Sequence, residues 1–147
     1  MSRAVAALVI AASCMVSTAL ADCIDDAALY QGIDSSLLRA IAYQESHLNA
    51  DAINRNTDGS EDLGVMQVNS RELPGLRQYG ITRDSLFDGC VNVFVGAWIL
   101  RRKIDRFGPT WKAVGAYNAT SPDKQLRYAG QIYSQLLARG QRGQDQR

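Results

Sequence analysis

Histidine and cysteine are scarce in this sequence. Its 147 residues include one histidine, His47, and three cysteines, and Cys14 falls inside an expected leader. One imidazole and the two remaining thiols cannot complete a four-ligand zinc site, so no metal or other cofactor is expected. Charge of one sign is missing as well. The formal net charge is +1 and drops to 0 once Arg3 leaves with the leader, which removes the electrostatic case for nucleic acid or an anionic membrane as partner. Beyond the leader, the longest apolar run covers residues 91–100 and is interrupted by Asn92. It reads as a core helix, and no stable membrane insertion is expected. No internal repeat is visible, and the length suits one domain.

What is present begins with an export signal. Residues 1–21 combine a positive Arg3, an almost wholly apolar stretch over residues 4–12, and Ala19-Leu20-Ala21 as an A-x-A cleavage site. The expected organisation is a signal peptide over 1–21, one folded domain over 22–139 and a polar tail over 140–147, with the mature chain in the periplasm. A lipid on Cys14 is the competing reading, disfavoured because the apolar stretch continues past it. Cys23 and Cys90 then remain as an even pair in an oxidising compartment, where a disulfide is the default.

The domain reads as mainly helical. A short helix over 24–30 should stop at Gly32, and Asp34 should cap a stronger one carrying Leu37, Leu38, Ile41, Ala42 and Leu48 at helical spacing. Residues 49–62 are polar turn, with Asp58-Gly59 as a hairpin signal, and residues 63–69 have the composition of one short strand. An EF-hand reading of Asn54, Asn56 and Asp58 fails, because its twelfth position is Val65. Residues 71–87 are irregular. Asp88 should cap a helix over 89–107, whose last turns hold Arg101, Arg102, Lys103 and Arg106. Thr110 should cap the next helix, and Ser121-Pro122 should open a last one that ends at Gly140.

On the helix opened by Asp34, Glu45 follows Ile41 by four residues and Leu38 by seven. That places a carboxylate in the apolar stripe. Lost hydration there disfavours the charged form and raises the pKa. A carboxyl still protonated near neutral pH is what a general acid for glycosidic cleavage requires. The same spacing also suits a helix-end glutamate at the edge of the stripe.

Flanking residues carry more. Glu45-Ser46-His47-Leu48-Asn49 and the run from Asn54-Arg55-Asn56 to Gly64-Val65-Met66-Gln67-Val68-Asn69 resemble the active-site region of c-type lysozymes. They are also similar to the Glu-Ser and Gly-x-Met-Gln motifs of family-one lytic transglycosylases. Gly115-Ala116-Tyr117-Asn118-Ala119 resembles the Ala-Tyr-Asn-Ala motif of the transglycosylases, which c-type lysozymes lack. Size, export signal and the positions of Cys23 and Cys90 are similar to those of small transglycosylases that accompany type III secretion systems and type IV pili. The likeness extends to about Leu137.

This resemblance implies a lysozyme-like α+β fold, mainly helical, with a small β-hairpin flanking a cleft. It implies cleavage of peptidoglycan glycan strands between N-acetylmuramic acid and N-acetylglucosamine, with secretion-system or pilus components as further partners. Glu45 maps to the catalytic acid, and Asn54, Met66, Gln67, Asn69, Tyr117 and Asn118 map to substrate-binding positions. Gln67 and Asn69 on one strand would share a face and offer amides to N-acetyl groups. Met66 would shape the floor of a subsite, and the Tyr117 hydroxyl would point at Glu45. Two positions depart from the pattern: Asn54 stands where many members carry serine, and Thr120 where a glycine often follows Ala-Tyr-Asn-Ala.

Asp62 decides between two chemistries. In the lysozyme resemblance it stands at the second carboxylate, the pairing that defines the lysozyme mechanism, and water would complete a hydrolysis. Otherwise Glu45 acts as acid and then as base on the sugar's own C6 hydroxyl, leaving a 1,6-anhydromuramoyl end. Asp62 can also be a hairpin residue that only bonds amides. A third reading, a peptidoglycan-binding assembly factor, has no need of an acid in an apolar stripe.

Overall fold

The computed structural model describes residues 19–145, with side chains to residue 140. Most of the expected signal peptide and the end of the tail lie outside the described residues. Helix α1 (residues 19–31) starts ahead of the expected residue 24 and buries Ile24, Ala27 and Ala28. Gly32 ends it with φ 62. Helix α2 (Ser35–Ser46) follows, its first turn capped by Asp34, which accepts from the Leu37 amide at 3.0 Å. The core stripe of α2 is Leu38, Ile41 and Ala42, fully buried. His47 closes the helix in the left-handed region, so Leu48 lies outside it.

The β element is larger than the single hairpin expected. Three strands, β1 (Ile53–Arg55), β2 (Glu61–Leu63) and β3 (Val68–Asn69), form an antiparallel sheet in the order β1-β2-β3. The run 63–69, read as one strand, is broken by a turn over residues 64–67, with Gly64 at φ 73 and Gln67 at φ 48. Two hairpins result. Their register aligns Asn54 with Asp62 and Asp62 with Asn69. Laterally paired residues share a face, so three polar side chains form one row across the sheet. The neighbouring row turns Leu63 and Val68 into the core.

Short helical pieces, including α3 (Leu73–Leu76), lead to α4 (Gly89–Phe107). Asp88 caps α4 by accepting from the Cys90 and Val91 amides at 2.9 and 3.0 Å, and Gly108 ends it with φ 74. Helix α5 (Trp111–Asn118) packs between α4 and α6 (Pro122–Asp145). Gly115 permits this close approach, since a Cβ there would overlap the backbone of Gln125. Helix α6 runs through Gly140, where a stop was expected. Gly140 does not take the positive φ that would terminate the helix there. Among the described residues no helix is long and apolar enough to cross a membrane.

Cys23 and Cys90 form a disulfide with a Cα–Cα distance of 5.3 Å and a sequence separation of 67, tying α1 to the start of α4. Constraining so long a loop in the unfolded chain stabilises by about 4 kcal/mol in the chain-entropy model. Urea denaturation with and without reductant should show that loss as a lower midpoint. Coincident curves would contradict it.

Candidate active site

A cleft of about 610 Å³ is lined by Glu45 from α2, by the polar row of the sheet, by Ile99 and Lys103 from α4, and by Tyr117 and Asn118 from α5. Glu45 stands one residue before the end of α2, and Ser46 fixes where that end lies. The Ser46 hydroxyl donates to the Val65 carbonyl at 2.7 Å and accepts from the Asn49 amide at 3.0 Å. The Glu-Ser pair therefore couples the acid to the 64–67 turn.

Burial pushes the Glu45 carboxyl up from 4.5 to about 7, because the charged form loses hydration. The negative charge of Asp62 adds to that rise, while hydrogen bonds from Tyr128 and Asn118 oppose it. Tyr128, buried on α6, donates its hydroxyl to Glu45 Oε1. Burial and the nearby Glu45 charge raise its own pKa, so it remains a donor. The result is a carboxyl close to half-protonated at neutral pH, held from one side by a phenol and open to a polar cleft.

The Tyr117 hydroxyl does not point at Glu45. It donates to the Met66 carbonyl at 2.8 Å, leaving Tyr117 as part of the cleft wall, and the phenol on the acid comes from Tyr128. Tyr128 was missed because it sits in an ordinary amphipathic stripe with Ala129 and Ile132. Its one available signal was general: a core tyrosine needs a partner for its hydroxyl.

Asp62 lies in the cleft with its oxygens already engaged. Asn69 Nδ2 donates to Oδ1 at 2.7 Å, and Asn56 and Asn54 donate to Oδ2 at 3.0 and 3.3 Å. The sheet register creates this arrangement, since Asn54 and Asn69 flank Asp62 in the same row. Asn54, the departure from serine, thus orients Asp62 while lining the cleft. Asp58 bonds the Ser60 amide and hydroxyl and pairs with Arg71 at 2.8 Å, the turn role expected of it.

Two other expected positions move. Met66 is fully buried, its side chain against Gly96, where any added Cβ would overlap it. It presents no surface to the cleft, and its backbone serves instead. Gln67 precedes β3 rather than sharing its face with Asn69. Its side-chain Nε2 donates to the Gly64 and Ala52 carbonyls at 3.0 and 3.3 Å, and the residue still lines the cleft. The turn bearing both is held from α4 by Asn92, fully buried. Asn92 accepts from the Met66 amide at 2.7 Å and donates to the Leu63 and Leu86 carbonyls, each at 2.8 Å. Among the described residues no group of three or more His, Cys, Asp or Glu side chains is placed to hold a metal ion.

Tyr128 and the cleft acid give a directional test. Removing the hydroxyl in Tyr128→Phe withdraws a bond that favours the charged carboxylate, so the Glu45 pKa should rise further above 7. The pH at which activity is lost should move upward, with the rate reduced about tenfold. An unmoved pH profile would show that the phenol does not act on Glu45.

Residues 22–133 match the family model described as Transglycosylase SLT domain. Invasion protein IagB of Salmonella typhimurium is 47% identical over 123 residues, covering 80% of this chain and 77% of its own. Protein IpgF of Shigella flexneri is 43% identical over 122 residues, covering 80% of each chain. A peptidoglycan-binding-like protein of Escherichia coli O157:H7 is 37% identical over 130 residues, covering 80% of this chain and 78% of its own. Among solved structures, an inactive mutant of the lytic transglycosylase Slt from Pseudomonas aeruginosa superimposes with a TM-score of 0.65 at 24% identity. The match covers 81% of this chain but only 23% of that protein, and it is a likeness of fold.

Proposed function

This chain belongs to the Transglycosylase SLT domain family, and on that premise we propose that Glu45 cuts peptidoglycan strands by acting first as acid and then as base. The protonated carboxyl gives its proton to the oxygen joining N-acetylmuramic acid to N-acetylglucosamine. The bond from the muramoyl C1 to that oxygen breaks, and the glucosamine end leaves as an alcohol. The Glu45 carboxylate then takes the proton of the muramoyl C6 hydroxyl while its oxygen bonds to C1. A 1,6-anhydro end forms, and the acid is restored with no water consumed.

The observation that carries this reading is a carboxyl raised to about 7, able to hold and release a proton at neutral pH. The three amides on Asp62 support a fixed negative charge that stabilises the oxocarbenium-like centre. A lysozyme-type hydrolysis with Asp62 at C1 has less support, because the family match is to a transglycosylase domain. So does a binding-only role, which gains nothing from a dehydrated acid. The name of the IagB relative, an invasion protein, together with the expected export signal, supports a periplasmic enzyme. It would open local gaps in the wall for a secretion apparatus or pilus.

Asp62→Asn tests the electrostatic part. Loss of its charge should lower the Glu45 pKa, moving the alkaline loss of activity below pH 7. The rate should fall by about ten- to a hundredfold, with anhydro ends still the product. A wild-type rate with an unmoved profile would take Asp62 out of the mechanism.

A further inference from the structure

The cleft places four carboxyl groups, Glu45, Asp58, Asp62 and Glu72, around one cation, Lys103. Every acid has a partner supplied by the protein. Asp58 pairs with Arg71 at 2.8 Å and Glu72 with Arg102 at 3.0 Å. Asp62 is held by three amides, and Glu45 is bonded by Tyr128 and largely protonated below about 7. Among the described residues Lys103 has no such partner.

The ordinary reading of Lys103 is a cation that complements the C-terminal dipole of α4. Its neighbours do not behave like a solvated charge run, however. Arg101 pairs with Asp105 at 2.7 Å, Arg102 with Glu72, and Arg106 lies over the Phe107 ring at 5.1 Å. Lys103 alone of the four is left over, and it is the one on the cleft wall, one helical turn beyond Ile99.

The glycan has a matching charge. Muramic acid differs from glucosamine by a lactyl ether ending in a carboxyl group. In the wall that carboxyl carries a short peptide bearing its own carboxylates, and after peptide removal it is itself ionised. Resting on the glycan-cleavage reading above, we propose that Lys103 receives a carboxylate of this muramoyl branch. It would thereby set the register in which a muramoyl unit, not a glucosamine unit, lies at Glu45. A lysine suits this task as a mobile point charge that reaches carboxylates in several orientations.

The test is calorimetric titration of Glu45→Gln protein, which can hold strands without cutting them, and of the Glu45→Gln/Lys103→Gln double variant. Three ligands are compared: strands bearing peptides, strands stripped by an amidase, and uncharged N-acetylchitotetraose. The double variant should bind carboxylate-bearing strands roughly five- to tenfold more weakly, a partly exposed ion pair. The difference should shrink at high salt, and chitotetraose binding should not change, which also reports an intact fold. Loss confined to peptide-bearing strands would assign the peptide carboxylates, and loss confined to stripped strands the lactyl carboxylate. Equal weakening for chitotetraose, or none for any ligand, would overturn the inference. Failure of the Glu45→Gln parent to bind any muramoyl strand would instead count against the cleavage reading itself.

Discussion

Glu45→Gln should abolish strand cleavage, by about a thousandfold or more, and should make the protein more stable in alkaline buffer. The first effect follows from removing the group proposed to both give and take a proton, since general acid and base steps are each worth about 10²–10⁴-fold. An amide keeps the shape and can still accept the Tyr128 hydroxyl bond, so the fold is retained. The second effect follows from linkage. The folded protein keeps a proton on Glu45 up to about pH 7, whereas an ordinary glutamate releases it near 4.5. The stability from this site is therefore fully present below pH 4.5 and falls as pH rises through 7. Glutamine carries no such penalty, and the variant should gain up to about 3 kcal/mol over wild type by pH 8. Paired denaturation curves at pH 5 and pH 8 measure it. Equal stability at both would mean that the carboxyl is not held protonated by burial.

Asn92→Ala should be the most destabilising single change outside the disulfide, by about 4 kcal/mol, because it strands three buried backbone groups at about 1–3 kcal/mol each. Those groups are the Met66 amide and the Leu63 and Leu86 carbonyls, which join the 64–67 turn to α4. Gly64 lies against the same side chain, where a Cβ would overlap Asn92, so Gly64→Ala should fail similarly. A drop of about 10 °C or more in Tm is expected for Asn92→Ala. A loss under about 1 kcal/mol would show that water replaces the side chain without cost. Activity should fall further than stability alone requires, since the same turn presents the Met66 carbonyl to Tyr117 and anchors Gln67 beside the cleft.

Much of the helical frame was legible in the chain, and for local reasons. Helix α4 spans the expected residues because Asp88 caps it and Gly108 stops it, both within reach of their own neighbours. The burial of the Glu45 carboxyl was legible because Glu45 repeats the spacing of Leu38 and Ile41. What was not legible depends on contacts distant in sequence. Val65, Met66 and Val68 look like strand residues, yet Asn92, Ser46 and Tyr117 hold the stretch before β3 as a turn. The phenol on Glu45 comes from Tyr128 rather than Tyr117 because α6 crosses close to α5 over Gly115. Neither the crossing nor the direction of a hydroxyl is encoded in a short motif. Asp62 was singled out as a candidate second carboxylate, but its three amide donors required knowing the sheet register.

The ends of the fragments the enzyme leaves separate transglycosylation from hydrolysis. Purified sacculi should be digested with the wild-type protein and the released muropeptides weighed by mass spectrometry. A transglycosylase working through Glu45 and the muramoyl C6 hydroxyl yields 1,6-anhydro ends, lighter by one water than reducing ends. Predominantly reducing ends, or undiminished release by Glu45→Gln, would contradict it.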